Sequence, residues 1–233
     1  MKIPFQNLTS LPLDERQSIE EAALRAIRSG RYILGREVLS FEKEFASSMG
    51  KEHCISVGNG LDALRIALLA GVENISPGDE VIVPAQTFIA TWIAVIQAGM
   101  VPVAVDVDAQ YGLLDLQETV RAITPRTRAI LPVHLFGFVA DLRPLQELAR
   151  QHHLFLLEDA AQAHGHANLG LGDATAFSFY PTKNLRALGD GGAIVTNRAD
   201  IAERAAQLRN YGKNSQGEAT LLGSNSRLDE LQA

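Results

Sequence analysis

Lys183 stands where a merely solvated lysine is out of place. The alternating apolar run Ala174-Thr-Ala-Phe-Ser-Phe-Tyr180 reads as a strand, Pro181 breaks it, and Lys183 lies on the loop that follows. Upstream, Leu154-Phe-Leu-Leu-Glu-Asp159 is a second apolar run, delivering a carboxylate at its carboxyl end, where open α/β sheets bind ligands. A primary amine and a carboxylate at neighbouring strand ends suit a pyridoxal phosphate site. The amine can form a Schiff base with the cofactor aldehyde, while the carboxylate keeps the pyridine nitrogen protonated so that the ring withdraws electrons. Each residue alone has a plainer reading, as a surface charge or a helix N-cap. The pair becomes specific only beside a phosphate cradle and an aromatic ring that can stack.

Candidates for both are present. Gly58-Asn-Gly-Leu-Asp-Ala63 follows a strand pattern and opens a helix, so backbone N–H groups and the positive helix end face an anion. The same string matches the dinucleotide fingerprint G-x-G-x-x-A, which keeps a nicotinamide dehydrogenase as a rival. That rival needs an acid at the far end of the second strand. Asp79 and Glu80 precede Val81, at the wrong end, and the far end reads Pro84-Ala-Gln86. Phe88 lies just past this strand, where its ring can cover a flat cofactor or simply pack beside Trp92. In Glu158-Asp-Ala-Ala-Gln-Ala-His-Gly165, either Gln162 or His164 can hydrogen-bond a phenolate oxygen, and Ser178 offers a hydroxyl to a phosphate or is an ordinary strand serine. No metal site is expected, because His152, His153 and His166 lack partners at ligand spacing. A G-x-S-x-G elbow is absent, which excludes that class of serine hydrolase.

The elements that must position these groups follow from the pattern. Asp14-Glu-Arg-Gln17 has capping-box spacing before an amphipathic helix that Gly30 stops, and a second helix carries Val38, Phe41, Phe45 and Met49 up to Gly50. Strands are expected at 53–57, 81–83, 101–105, 128–133 and 154–157, alternating with helices from Leu61, from Phe88, over 116–123 and over 142–150. Two more strands, 175–179 and 193–196, are joined by a loop too short for a crossover helix, so an antiparallel pair is expected there, and a last helix spans 201–209. The fold class is therefore α/β, a three-layer α/β/α arrangement with a mostly parallel mixed sheet.

With 233 residues, 46% hydrophobic and 21% charged, the chain can bury a substantial core. Its net charge of −6 argues against nucleic-acid or anionic-membrane surfaces, and an anionic ligand needs a local site. The uncharged stretch 81–105 is divided by Pro84, Gln86, Gln97, Gly99 and Pro102 into strand, helix and strand, so it is not read as a membrane span. The single cysteine, Cys54, lies in a strand pattern and reads as a core thiol in a reducing compartment. Residues 1–7 contain no apolar run of signal-peptide length, so a cytoplasmic location is expected.

Taken together, Val81-Ile-Val-Pro-Ala-Gln-Thr-Phe88, Pro132-Val-His-Leu-Phe-Gly137, Glu158-Asp-Ala-Ala-Gln162, Phe177-Ser-Phe-Tyr-Pro-Thr-Lys-Asn-Leu185, Gly189-Asp-Gly-Gly-Ala193 and Gly223-Ser-Asn-Ser-Arg-Leu-Asp229 resemble the DegT/StrS family of pyridoxal-phosphate sugar aminotransferases. The resemblance runs from Ile33 to Ala233. It implies the large domain of a fold type I transferase, with an N-terminal helix and arm over 1–35, a cofactor-binding domain over 36–233, and a small carboxyl-terminal domain that this sequence does not include. By the same resemblance Lys183 binds the cofactor covalently, Asp159 pairs with the pyridine nitrogen, Gln162 reaches the ring oxygen and Phe88 stacks. Gly60, Leu61 and Ser178 form the phosphate cradle, and Asn225 reaches the phosphate of a neighbouring subunit, which implies a homodimer with shared sites. The string 58–64 with Ile89-Ala-Thr-Trp92 is most similar to members that aminate nucleotide-linked 3-keto-6-deoxyhexoses with glutamate as donor. Three departures from the family pattern stand out: a short segment between His164 and Leu171, Arg186 in place of a small residue, and the end of the sequence at Ala233. The last keeps open a catalytically silent domain of the same fold.

Overall fold

The computed structural model describes residues 11–139 and 141–233. The first ten residues, and with them the reading of residues 1–7 and the start of the 1–35 arm, lie outside the described residues. Helix α1 (Leu13–Ser29) follows Pro12 and places Asp14 and Glu15 in its first turn and Arg28 in its last, the charge order that a helix dipole favours. The capping box expected at Asp14 does not form. The helix begins at Leu13, so Asp14 is already inside the first turn and no side chain caps Pro12. Gly30 ends the helix with φ +66°, as expected. Helix α2 (Arg36–Ser48) is capped from far away: the buried Glu230 carboxylate accepts the N–H groups of Gly35, Glu37 and Val38 at 2.6, 2.9 and 3.1 Å.

From there strands and helices alternate: β1 (His53–Val57), α3 (Gly60–Gly71), β2 (Glu80–Pro84), α4 (Ile89–Gln97), β3 (Val101–Val105), α5 (Leu116–Ala122) and β4 (Thr127–Ile130). A single 3-10 turn (Leu135–Gly137) precedes α6 (Arg143–His152), β5 (Phe155–Asp159), β6 (Ala174–Ser178), β7 (Gly192–Thr196) and α7 (Ala199–Leu208). The seven strands form one sheet in the order β1-β7-β6-β5-β4-β2-β3. Among the described strands, six share one direction and β7 runs the other way, pairing antiparallel with both β1 and β6. The mixed, mostly parallel sheet and the antiparallel β6–β7 pair match the expectation from sequence. One boundary differs. The strand expected over 128–133 leaves the regular ladder after Ile130, and beyond Pro132, which has no N–H to donate, only an isolated bridge joins Val133 to Asp159.

The pleat sorts side chains between two helical layers. Ile55, Val81, Ala129, Leu157, Ala176 and Ile194 pack on one face with residues of α3, α4 and α7. On the opposite face, Cys54, Phe177 and Val195 pack with α2, while Ile82, Ile130 and Leu156 pack with α6. Alternation of this kind puts residues two apart on the same side, so Asp159 follows Leu157 toward α3 and α4, whereas Glu158 follows Leu156 toward the other layer. Cys54 is buried and its thiol is pushed far up, chiefly by burial, which leaves it protonated and inert. Among the described residues no helix is long and apolar enough to cross a membrane.

Candidate active site

The carboxyl ends of the parallel strands open into a cavity of about 900 Å³. Thr87 and Phe88 reach it after β2, Val133 and His134 after β4, Asp159 from the end of β5 and Gln162 after it, Ser178 from β6, and Lys183 from the β6–β7 connection. Because β7 is antiparallel to β6, that connection begins and ends at the same end of the sheet, which keeps Lys183 beside the strand ends. The two groups on which the sequence reading depends, Lys183 and Asp159, therefore border one cavity.

Asp159 is buried. Its Oδ2 accepts the Thr91 hydroxyl at 2.9 Å and its Oδ1 accepts the Ala161 N–H at 3.1 Å. Burial pushes its carboxyl above the ordinary range, opposed by Ala161, Thr91 and the His134 and Lys183 charges. Lys183 experiences the converse: burial depresses its ammonium pKa, and Asp159 opposes the shift. A buried carboxylate with remaining lone pairs on a cavity calls for a cation there, and an amine that releases its proton more easily than a free lysine is a better nucleophile and proton carrier.

The turn at the start of α3 is built by close approach. Asn59 caps the helix, its side chain accepting the Asp62 N–H at 2.8 Å. A Cβ on Gly60 would lie 2.6 Å from Ser178 Cβ, and one on Gly192 would lie 2.5 Å from the Asn59 carbonyl oxygen, so both positions require glycine. The first-turn amides of Gly60 and Leu61 have no carbonyl within the helix to bond, and both residues line the cavity together with Ser178. The acid that a dinucleotide site needs at the end of β2 is missing. Glu80 lies at the strand's amino end, where Arg126 and Thr124 hold it, and Asp79 accepts the Ser76 N–H.

Gln162 is oriented by the chain itself. Its Oε1 accepts the Phe136 N–H at 2.6 Å, from a residue with φ +57° inside the 3-10 turn, which leaves the amide NH₂ as the donor available to a ligand. Phe88 is the N-cap residue of α4 rather than its first residue, and at 67% exposure its ring stands at the cavity mouth. His164 lies elsewhere. Its ring packs on Phe177 and Phe179 with centroids 5.3 and 5.8 Å away, and it is not among the residues that line the cavity. Burial pushes its pKa down to about 4, the backbone at Ser178 opposing and the Lys183 charge adding to the shift. Of the two candidates for a ring-oxygen donor, only Gln162 borders the cavity. Asn225 is also outside the cavity lining, exposed, and bridged to Asn210.

Sequence reasoning missed Thr91 and Thr87. Their hydroxyls are 2.9 Å apart and lead to Asp159. Thr91 comes three residues after Phe88 and four after Thr87, a helical spacing that could have pointed to it.

A pyridoxal phosphate molecule fits what these residues present. The cavity is of ligand size, the glycine-lined turn and Ser178 leave room and donors for a phosphate, and Asp159 offers a buried carboxylate to a cationic partner. Comparison with known proteins agrees. Erythromycin biosynthesis sensory transduction protein EryC1 of Saccharopolyspora erythraea is 50% identical to this chain over 238 residues, covering 100% of the chain and 64% of that relative. A dTDP-3-amino-3,4,6-trideoxy-alpha-D-glucose transaminase of Streptomyces venezuelae is 48% identical, covering 100% of the chain and 62% of the relative. The crystal structure of S. venezuelae DesV superposes with a TM-score of 0.94 at 47% identity, over 99% of this chain and 63% of the other. The chain thus spans less than two thirds of the length of these relatives. The family model described as the DegT/DnrJ/EryC1/StrS aminotransferase family matches residues 13–233, and the chain belongs to that family.

Proposed function

We propose that this chain forms the cofactor-binding part of a pyridoxal-phosphate-dependent sugar aminotransferase. It moves an amino group from an amino acid, L-glutamate, to a nucleotide-linked keto-deoxysugar in cell-surface polysaccharide or secondary-metabolite sugar biosynthesis. The observation that carries this reading is the convergence of Lys183, Asp159 and the Gly60–Leu61–Ser178 turn on one cavity. The named activity of the S. venezuelae relative supports the substrate class.

When bound, the cofactor supplies an electron-withdrawing ring that can take up and release an amino group. The protein's own groups do the rest. Asp159, held by Thr91 and Ala161, keeps a positive charge on the ring nitrogen. Gln162 donates its NH₂ to the ring oxygen because Phe136 occupies its carbonyl. The amides of Gly60 and Leu61 and the Ser178 hydroxyl hold the phosphate. Phe88 covers one ring face and excludes water from it. Lys183 would hold the cofactor through Nζ, and the same amine, whose pKa burial lowers, can take up and release a proton at Nζ. Asn225, exposed and away from its own cavity, serves the site of a second copy in a homodimer.

The test is spectroscopic. Purified protein given pyridoxal phosphate develops the visible band of lysine-bound cofactor, Lys183→Ala does not, and added L-glutamate converts the cofactor to its amine form. An unchanged band in the variant removes Lys183 from its role, and binding without conversion by glutamate favours a silent domain.

A further inference from the structure

We propose that Arg65 is a positioning residue for phosphate binding: it neutralises Asp62, and so leaves the positive end of α3 to the incoming anion. This rests on reading the Gly60–Leu61 turn as the phosphate cradle.

Asp62 is an acidic residue in the first turn of α3, and it borders the same cavity as Gly60 and Leu61. A carboxylate in that position is drawn to the helix's positive end and repels a second anion arriving there. Arg65, one turn on, donates Nε and Nη2 to Asp62 Oδ1 at 2.9 and 2.8 Å. Its Nη2 also donates to Ser224 Oγ at 2.7 Å. An ordinary surface pair three residues apart on a helix is loose and weak. Here both side chains are mostly covered, at 15% and 19% exposure, and Ser224 fixes the guanidinium. The same segment grips the other end of the turn, because Ser226 Oγ accepts the Gly58 N–H at 3.0 Å. Residues 224–226 thus brace the cradle at Gly58 and at Arg65, and the acid beside the anion site is balanced before any ligand arrives.

Pyridoxal phosphate and pyridoxal carry the same ring and aldehyde, so the ratio of their affinities isolates the phosphate. Equilibrium binding of both is measured for the wild type, Arg65→Met, Asp62→Asn and Asp62→Asn/Arg65→Met. Arg65→Met is expected to weaken pyridoxal phosphate binding by roughly tenfold, while pyridoxal binding changes less than about twofold. Asp62→Asn is expected to bind pyridoxal phosphate at least as tightly as the wild type, and the double variant to recover most of the loss. Equal weakening of both ligands by Arg65→Met, or no recovery in the double variant, overturns the role of Arg65. A wild type that binds the two ligands alike overturns the phosphate reading of the cradle and this proposal with it. A wild-type preference that survives intact in Arg65→Met removes Arg65 alone.

Discussion

Glu158 and Asp159 are consecutive carboxylates at the end of β5, both buried, and the pleat sends them to opposite faces of the sheet. Glu158 accepts His134 Nε2 at 3.0 Å, the Gly170 N–H at 3.0 Å and the Gly172 N–H at 2.6 Å. It ties the end of β4 to the loop before β6, and its acceptor capacity is used within the protein. Asp159 accepts one hydroxyl and one amide, and otherwise borders a cavity. The difference teaches how to separate a carboxylate that supports the fold from one kept for a ligand: the first is saturated by its own chain, whereas the second is held by few bonds and pushed toward its neutral form until a cation arrives.

The comparison can be broken most severely at Glu158. Glu158→Ala leaves His134 Nε2 and two amides without their acceptor, and should lower the unfolding free energy by about 3–5 kcal/mol in a urea titration. Asp159→Asn should do the reverse to the apoprotein. Its folded-state pKa is raised, so the folded protein binds more protons than the unfolded chain just above the ordinary carboxylate value, and stability falls as pH rises through that window. Removing the charge removes that cost at neutral pH, so the variant should be at least as stable as the wild type. Its pyridoxal phosphate affinity should nonetheless fall by on the order of 2–5 kcal/mol, as a ligand cation loses its buried partner.

A titratable group outside the cavity lining should report chiefly on folding, since burial is the main cause of its shift. His164, with its pKa pushed down to about 4, is protonated more easily when unfolded. Its contribution to stability is therefore present above pH 6.5 and is lost as pH falls toward 4. His164→Phe should flatten that part of a plot of denaturation midpoint against pH. The smallest effect is expected at the Asp159 support. Thr91→Val should weaken cofactor binding by about 1 kcal/mol, and by less in an Asp159→Asn background, where the hydroxyl has no carboxylate to orient.

The alternation of strands and helices, the antiparallel β6–β7 pair and the placing of Lys183 and Asp159 at strand ends were all legible in sequence. Each depends on short-range signals: a two-residue or helical apolar period, a glycine or proline stop, or a loop too short to cross the sheet. Local patterns also misled where a nearby competitor decided the outcome. Pro12 moved the start of α1 ahead of Asp14, and Pro132 took the end of the expected strand out of its ladder.

Only the tertiary structure decided what holds the site together. Thr91 reaches Asp159 across 68 positions, Phe136 fixes the Gln162 amide across 26, and Ser224 meets Arg65 across 159. Residue pattern alone left His164 and Gln162 as equal candidates, and the chain turns Gln162 toward the cavity and His164 against Phe177 and Phe179. The sequence by itself determined which residues arrive at the strand ends, because strand and helix periods are set within a few residues. Which of their hydrogen-bonding groups are already occupied, and which remain for a ligand, depends on partners brought in by packing, and no local period encodes that.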